Sequence, residues 1–157
     1  MKNESAIQLW EEYKEINRQT PEDYDVWAFG NSKAMADELA ELVLSGIKTA
    51  TASNYILYEL ENEKLPYPGL FNIILNGNEE AVAIIETTDI EIIPFNKVTE
   101  EHAYLEGEGD RSLDYWRDVH EKFFEEEFSS INQTFDETML VVCERFKVVY
   151  TKETNEN

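Results

Sequence analysis

Gly46-Ile47-Lys48-Thr49-Ala50-Thr51-Ala52-Ser53 places one amine and three hydroxyls within a short stretch, just past a segment with helical spacing. A neutral lysine beside a threonine hydroxyl can take its proton, the Ser–Lys mode of nucleophile activation with threonine in place of serine. In a flat strand Lys48 and Thr51 would point to opposite faces, so only a turn or bulge between helix and strand lets them converge. Without that turn the segment is a lysine favouring a helix C-terminus, followed by strand threonines.

Three other groups of residues carry charge into apolar surroundings. Glu86 on a strand shares a face with Val82, Ile84, Thr88 and Ile90, and Glu144 stands between Val142 and Phe146. A carboxylate in such a place must be paired, hydrogen-bonded or protonated, and structural pairing is the expectation for both. Glu106-Gly107-Glu108-Gly109-Asp110 sets three carboxylates on one side of an extended chain, the runner-up constellation for a hard cation such as Mg²⁺. A structural role ranks above it, with Arg111 and Arg117 as local partners. His120 lies on the apolar stripe of a helix with Trp116 and reads as a hydrogen-bonded core histidine, whereas His102 reads as a surface residue.

The elements that must position these residues follow from periodicity. Ser5 and Gln8 match a capping box ahead of Leu9, Trp10, Tyr13 and Ile16, and Asn31 or Ser32 opens a second helix that Gly46 ends. A short helix spans Asn54 to Glu61, and Leu65-Pro66-Tyr67-Pro68-Gly69 is a turn. Leu70 to Asn76 and Ala81 to Ile93 form a hairpin around Asn76-Gly77-Asn78, where Asn-Gly favours positive φ. Helices at Thr99–Glu106 and Ser112–Phe128 precede a last strand, Met139 to Tyr150, with Leu140, Val142, Glu144, Phe146, Val148 and Tyr150 on one face. Intermingled helices and strands without a βαβ repeat make the class α+β, with mostly antiparallel strands that can close into a small barrel.

One domain is expected over residues 1–150 of the 157, with a polar tail at 151–157. The formal charge of -21 opposes broad contact with a phosphate backbone or an anionic membrane, so neither bulk DNA nor a membrane is an expected partner. The longest apolar runs fall far short of a bilayer span and no export signal stands out, so the cytoplasm is the expected location. The single cysteine, Cys143, sits in a β-branched run and reads as a packed hydrophobe.

Gly46, Lys48 and Thr51 match the G-x-K-x-x-T core of the ASCH domain family. The resemblance extends over Trp27-Ala28-Phe29-Gly30, Ala36 to Ala40, Ile85-Glu86-Thr87-Thr88, Glu106 to Leu113, Tyr115-Trp116-Arg117, His120 and Cys143 to Phe146. It implies a PUA-like fold, a small β-barrel with flanking helices and a cleft beside the Lys48 segment. One small branch of the family removes an acyl group from the exocyclic amine of modified cytidine, using lysine, threonine and glutamate. Carried over, these fall on Lys48, Thr51 and Glu86. Ribonuclease activity is associated with other members, and RNA binding has been proposed for the family. Where the wider motif has arginine two residues after the threonine, this chain has Ser53, which removes a forked anion contact.

The expectation is therefore a small hydrolase of a modified nucleoside or nucleotide, of the N(4)-acetylcytidine amidohydrolase kind and without a cofactor. A non-catalytic module that binds RNA or a nucleotide is the alternative. Trp27, Phe29 and Tyr67 offer stacking surfaces for a base, with Thr49 and Ser53 beside them. The mechanism contains a conflict. A lysine serves as base at neutral pH only if burial drives off its proton, and an ionised glutamate nearby works against that.

Overall fold

Asn3, rather than the expected Ser5 and Gln8, caps the first helix, α1 (Glu4–Ile16), by accepting from the Ala6 N–H at 3.0 Å. Ser5 is drawn off to accept from Ala81 N–H, which ties the helix start to the sheet. Leu9, Trp10 and Tyr13 are buried, but Ile16 is 69% exposed, so the apolar stripe ends a turn early. This computed structural model describes residues 3–18, 20–21 and 23–152.

The remaining elements are β1 (Asp25–Ala28), α2 (Lys33–Leu44), β2 (Ala50–Asn54), α3 (Tyr55–Leu60), β3 (Phe71–Leu75), β4 (Ala81–Pro94), α4 (Glu100–Glu106), α5 (Leu113–Ser130) and β5 (Leu140–Thr151). One sheet contains all five strands in the order β1-β3-β4-β5-β2. Only the β1–β3 pair is parallel. The architecture is mixed α+β, a curled half-barrel sheet with flanking helices, as the PUA-like expectation holds. Thr151 closes β5 and Lys152 N–H donates to Val82, so these two residues pack with the sheet; the rest of the expected tail, 153–157, lies outside the described residues.

Both faces of the sheet are covered, each by its own helix. Ile73 and Ile84 pack with α1 through Leu9, Trp10 and Tyr13, while Ile74, Ala83 and Ile85 pack with Leu39 and Val43 of α2. A third cluster joins Trp116, Phe124 and Phe128 of α5 to Val141 and Cys143. Burying these side chains stabilises the fold by about 1.5–3 kcal/mol for each large one.

Irregularities in the long β4–β5 pair alter the expected faces. Register shifts fall between Ile84 and Ile85 and between Thr87 and Asp89. Strict alternation therefore fails. Leu140 and Val148 are exposed; in β4, where alternation holds through Thr87, Thr87 is buried and Glu86 half-buried. At the hairpin, positive φ falls on Glu79 rather than Gly77. Gly77 serves close approach instead, since a Cβ there would lie 2.4 Å from the Lys33 carbonyl oxygen of α2.

Candidate functional site

The turn that Lys48 requires is present. Gly46, at φ 83°, reverses the chain after α2, and the N–H groups of Ile47 and Lys48 both donate to Leu42 O at 3.0 Å. This closes the helix end and aims the lysine inward. Thr49 is then fixed by its backbone, its N–H to Leu105 O and its carbonyl to Phe146 N–H. It lines neither of the two cavities beside the Lys48 segment.

Lys48 is among the largest fully buried side chains of the described residues, 1% exposed. Its Nζ lies 2.9 Å from Ala50 O, 3.2 Å from Glu106 Oε1 and 3.0 Å from Glu108 Oε2. With Glu106 O at 3.4 Å these are all oxygen acceptors, an environment that suits the three hydrogens of an ammonium. The carboxylates come from the end of α4, where Gly107 at φ 76° turns the chain so that Glu106 and Glu108 converge. Arg111 reinforces the turn by donating from Nε to Tyr104 O at 3.0 Å and from Nη2 to Ile47 O at 3.4 Å. It contacts carbonyls and the Tyr104 ring, so the expected arginine neutralisation is performed by Lys48 instead.

Glu106 is the centre of the cluster. Its Oε2 accepts from Trp116 Nε1 and His102 Nε2, each at 2.8 Å, and His120 Nε2 lies 3.6 Å from Oε1. Burial penalises its charge, yet Lys48 and the two histidines hold the carboxyl well below the usual range. His120 stacks on Trp116 at 4.1 Å and bonds through Nδ1 to the Trp116 carbonyl, which fixes that tautomer. Burial works against its cation, but the attraction of Glu106 prevails and raises its pKa. His102, expected at the surface, is buried as the partner of Glu106.

The cation constellation Glu106, Glu108 and Asp110 is divided. Asp110 is exposed and accepts from Ser112 N–H at the start of α5. His120 takes its place geometrically, with one ligating atom each from Glu106, Glu108 and His120 within 4.8 Å of one another. The Lys48 ammonium already bridges the two carboxylates, and a divalent ion there would meet its repulsion at close range.

Beside this cluster lies a cavity of about 640 Å³, lined by Trp27, Phe29, Thr51, Ser53, Tyr58 and Glu144 among others. A smaller cleft holding Lys48, Glu106, Glu108 and His120 shares Phe29, Thr51 and Phe123 with it. Thr51 thus stands where the two meet. Ser53 Oγ and Tyr58 OH are 2.9 Å apart, and the Trp27 and Phe29 rings meet edge to face at 4.7 Å. Tyr67 is exposed and does not line the cavity.

Glu86 is absent from both cavities. Its carboxylate faces Lys147 across the β4–β5 pair at 3.9 Å, an exposed contact. Glu86 lies with Ile84 on the α1 side of the sheet, opposite Phe71, whereas its neighbour Thr87 faces Glu144 of the cavity, so the acids that meet Lys48 are Glu106 and Glu108. One signal for this was legible: His102 and Glu106 lie one helical turn apart on the expected fourth helix.

Fold and site together define a small α+β half-barrel with a buried lysine–glutamate cluster at the edge of an aromatic cavity. The chain belongs to the ASCH domain family, which it matches over residues 25–150. A crystal structure of a protein from Enterococcus faecalis is 41% identical, covers 93% of this chain and 88% of that one, and superposes with a TM-score of 0.87. The ASCH domain of Lactobacillus crispatus is 34% identical over 94% of this chain and 95% of its own, also with a TM-score of 0.87. A hypothetical protein 16% identical, with a TM-score of 0.53, shares the fold alone. No curated protein matches the chain. Among the described residues no helix is long and apolar enough to cross a membrane.

Proposed function

We propose that the protein is a hydrolase of small nucleoside-like amides, with Thr51 as nucleophile and the Lys48–Glu106–Glu108 cluster as its charge and proton partner. The observation that carries this reading is the position of Thr51 at the junction of a ligand-sized cavity and a buried ionised cluster. Buried titratable groups at a cavity edge are the usual mark of a catalytic site.

The hydrogen count at Lys48 replaces the neutral-lysine mechanism. Thr51 Oγ bonds to the acyl carbon, and its proton passes to the net negative cluster, with Glu108 as acceptor because it is the more solvent-accessible carboxylate. The Lys48 ammonium stabilises the charge of the tetrahedral intermediate. The same proton goes to the leaving amine as the carbon–nitrogen bond breaks, and water then hydrolyses the threonyl ester. A cytosine amine suits this route, since conjugation with its ring eases departure.

The acids around the cavity, Asp25, Glu63, Glu127 and Glu144 against Lys64, count against a polyanionic ligand and so against the RNA-binding alternative. The test is turnover of a panel of acylated cytidines by purified protein. Thr51→Ala should lower the rate by about 10³-fold or more and Glu86→Ala should leave it unchanged. No turnover across the panel, or full activity in Thr51→Ala, would end the reading.

A further inference from the structure

Glu144 lies on β5 directly opposite Thr51 of β2 and forms part of the cavity wall. It is 5% exposed, and no lysine, arginine or histidine pairs with it among the described residues. A chain of buried donors holds one of its oxygens. Trp27 Nε1 donates to Asn72 Oδ1 at 3.0 Å, Asn72 Nδ2 to Thr87 Oγ1 at 3.2 Å, and Thr87 Oγ1 to Glu144 Oε2 at 2.6 Å. Asn72 and Thr87 are both buried. One proton from each member of the chain is passed toward Glu144, while Asn72 Nδ2 also donates to Leu70 O at 3.4 Å, so Oε2 is committed and the carboxyl is held in place. Oε1 receives no hydrogen bond from the described protein.

A carboxylate buried without a cation costs stability, and two further buried polar groups, Asn72 and Thr87, are spent on its orientation. Packing alone would be better served by an apolar side chain, as at the other buried positions of β5, Val141, Val142, Cys143 and Phe146. The arrangement suits an acceptor fixed at the wall of a cavity that also contains Trp27, Phe29 and Tyr58.

We propose that Glu144 is the specificity-determining residue of this cavity and that its Oε1 accepts an N–H from a planar, amino-bearing heterocycle held against the aromatic wall. This deepens the hydrolase reading and rests on it for the assignment of the cavity to substrate. Asp25 and Glu63 at the same cavity extend the preference for donors and cations over anions.

The test is calorimetric binding of cytidine and of 2-pyrimidinone riboside, which lacks the amino group, to the intact protein and to Glu144→Gln. The glutamine keeps an oxygen for Thr87 and turns its Nε2 donor toward the cavity. The unmutated protein should bind cytidine at least about tenfold more tightly than the deaminated probe. Glu144→Gln should lose that preference through an increase of about 10- to 100-fold in the cytidine Kd, with a Tm no lower than that of the parent. Equal affinity for the two probes, unchanged cytidine affinity in Glu144→Gln, or no binding at all would overturn the proposal. Cytidine recognition that depends on Glu144, with no turnover of any acylated cytidine, would end the hydrolase reading alone.

Discussion

Lys48 and Glu106 illustrate how a buried ion pair constrains what a residue can do. Each is 1% exposed, so removing Lys48 leaves buried Glu106 and its neighbour Glu108 without their shared ammonium. Lys48→Met should cost about 3–5 kcal/mol in urea denaturation, whereas Glu86→Ala, which loses only an exposed contact to Lys147, should change stability by less than about 0.5 kcal/mol. Cys143 makes a separate prediction. Burial, with Glu106 and Glu91 adding to it, pushes its thiol up to about 12. The thiolate fraction near neutrality is then negligible, so a disulfide reagent at pH 8 should label the thiol only after unfolding. Rapid labelling of the folded protein would contradict its role as a packed hydrophobe.

At the scale of elements, the site depends on two glycine turns that serve different ends. Gly46 and Gly107 both have positive φ, at 83° and 76°. A Cβ at Gly46 meets nothing within 4 Å, while one at Gly107 would lie 2.7 Å from Ile47 O. Gly46→Ala should therefore cost about 1 kcal/mol and leave turnover nearly unchanged. Gly107→Ala adds a backbone clash that pushes the end of α4 away from the Lys48 segment. It should cost about 2 kcal/mol or more and reduce turnover, because Glu108 leaves Lys48. Equal effects of the two substitutions on rate would show that the α4 turn does not set the site.

For the whole molecule, the buried charges place maximal stability on the acidic side of neutrality. Glu106 has a folded pKa below its ordinary 4.5, so its contribution is present above that value and is lost as pH falls through the lower folded one. His120 is raised above 6.5, so its contribution is full below 6.5 and is lost as pH rises through the folded value. Burial raises Glu144, Asp25 and Glu127, each of which costs stability when ionised and is relieved as pH falls toward its unfolded value. The formal charge of -21 adds self-repulsion that lessens in the same direction. A Tm profile should peak between about pH 4.5 and 6.5. A maximum above pH 7.5 would show that these groups do not govern it.

The sequence by itself determined the elements whose periodicity is local: the apolar stripes of α1, α2 and α5, the long strands β4 and β5, and the glycine that stops α2 before Lys48. It also brought out Lys48 and Thr51, because their spacing across a helix end is a property of one segment. β1 escaped it, since a four-residue strand with exposed and half-buried side chains has no apolar alternation. Only the tertiary structure decided which carboxylate meets the lysine. Glu86 shares the face of Ile84, as alternation predicts, but that is the α1 side of the sheet, where it meets Lys147 and not Lys48. Glu106 reaches Lys48 from 58 residues away because α4 packs its C-terminus against the Lys48 segment. Which face of a two-sided sheet holds the site, and pairing across such a separation, are set by packing between elements, which no short window of sequence encodes.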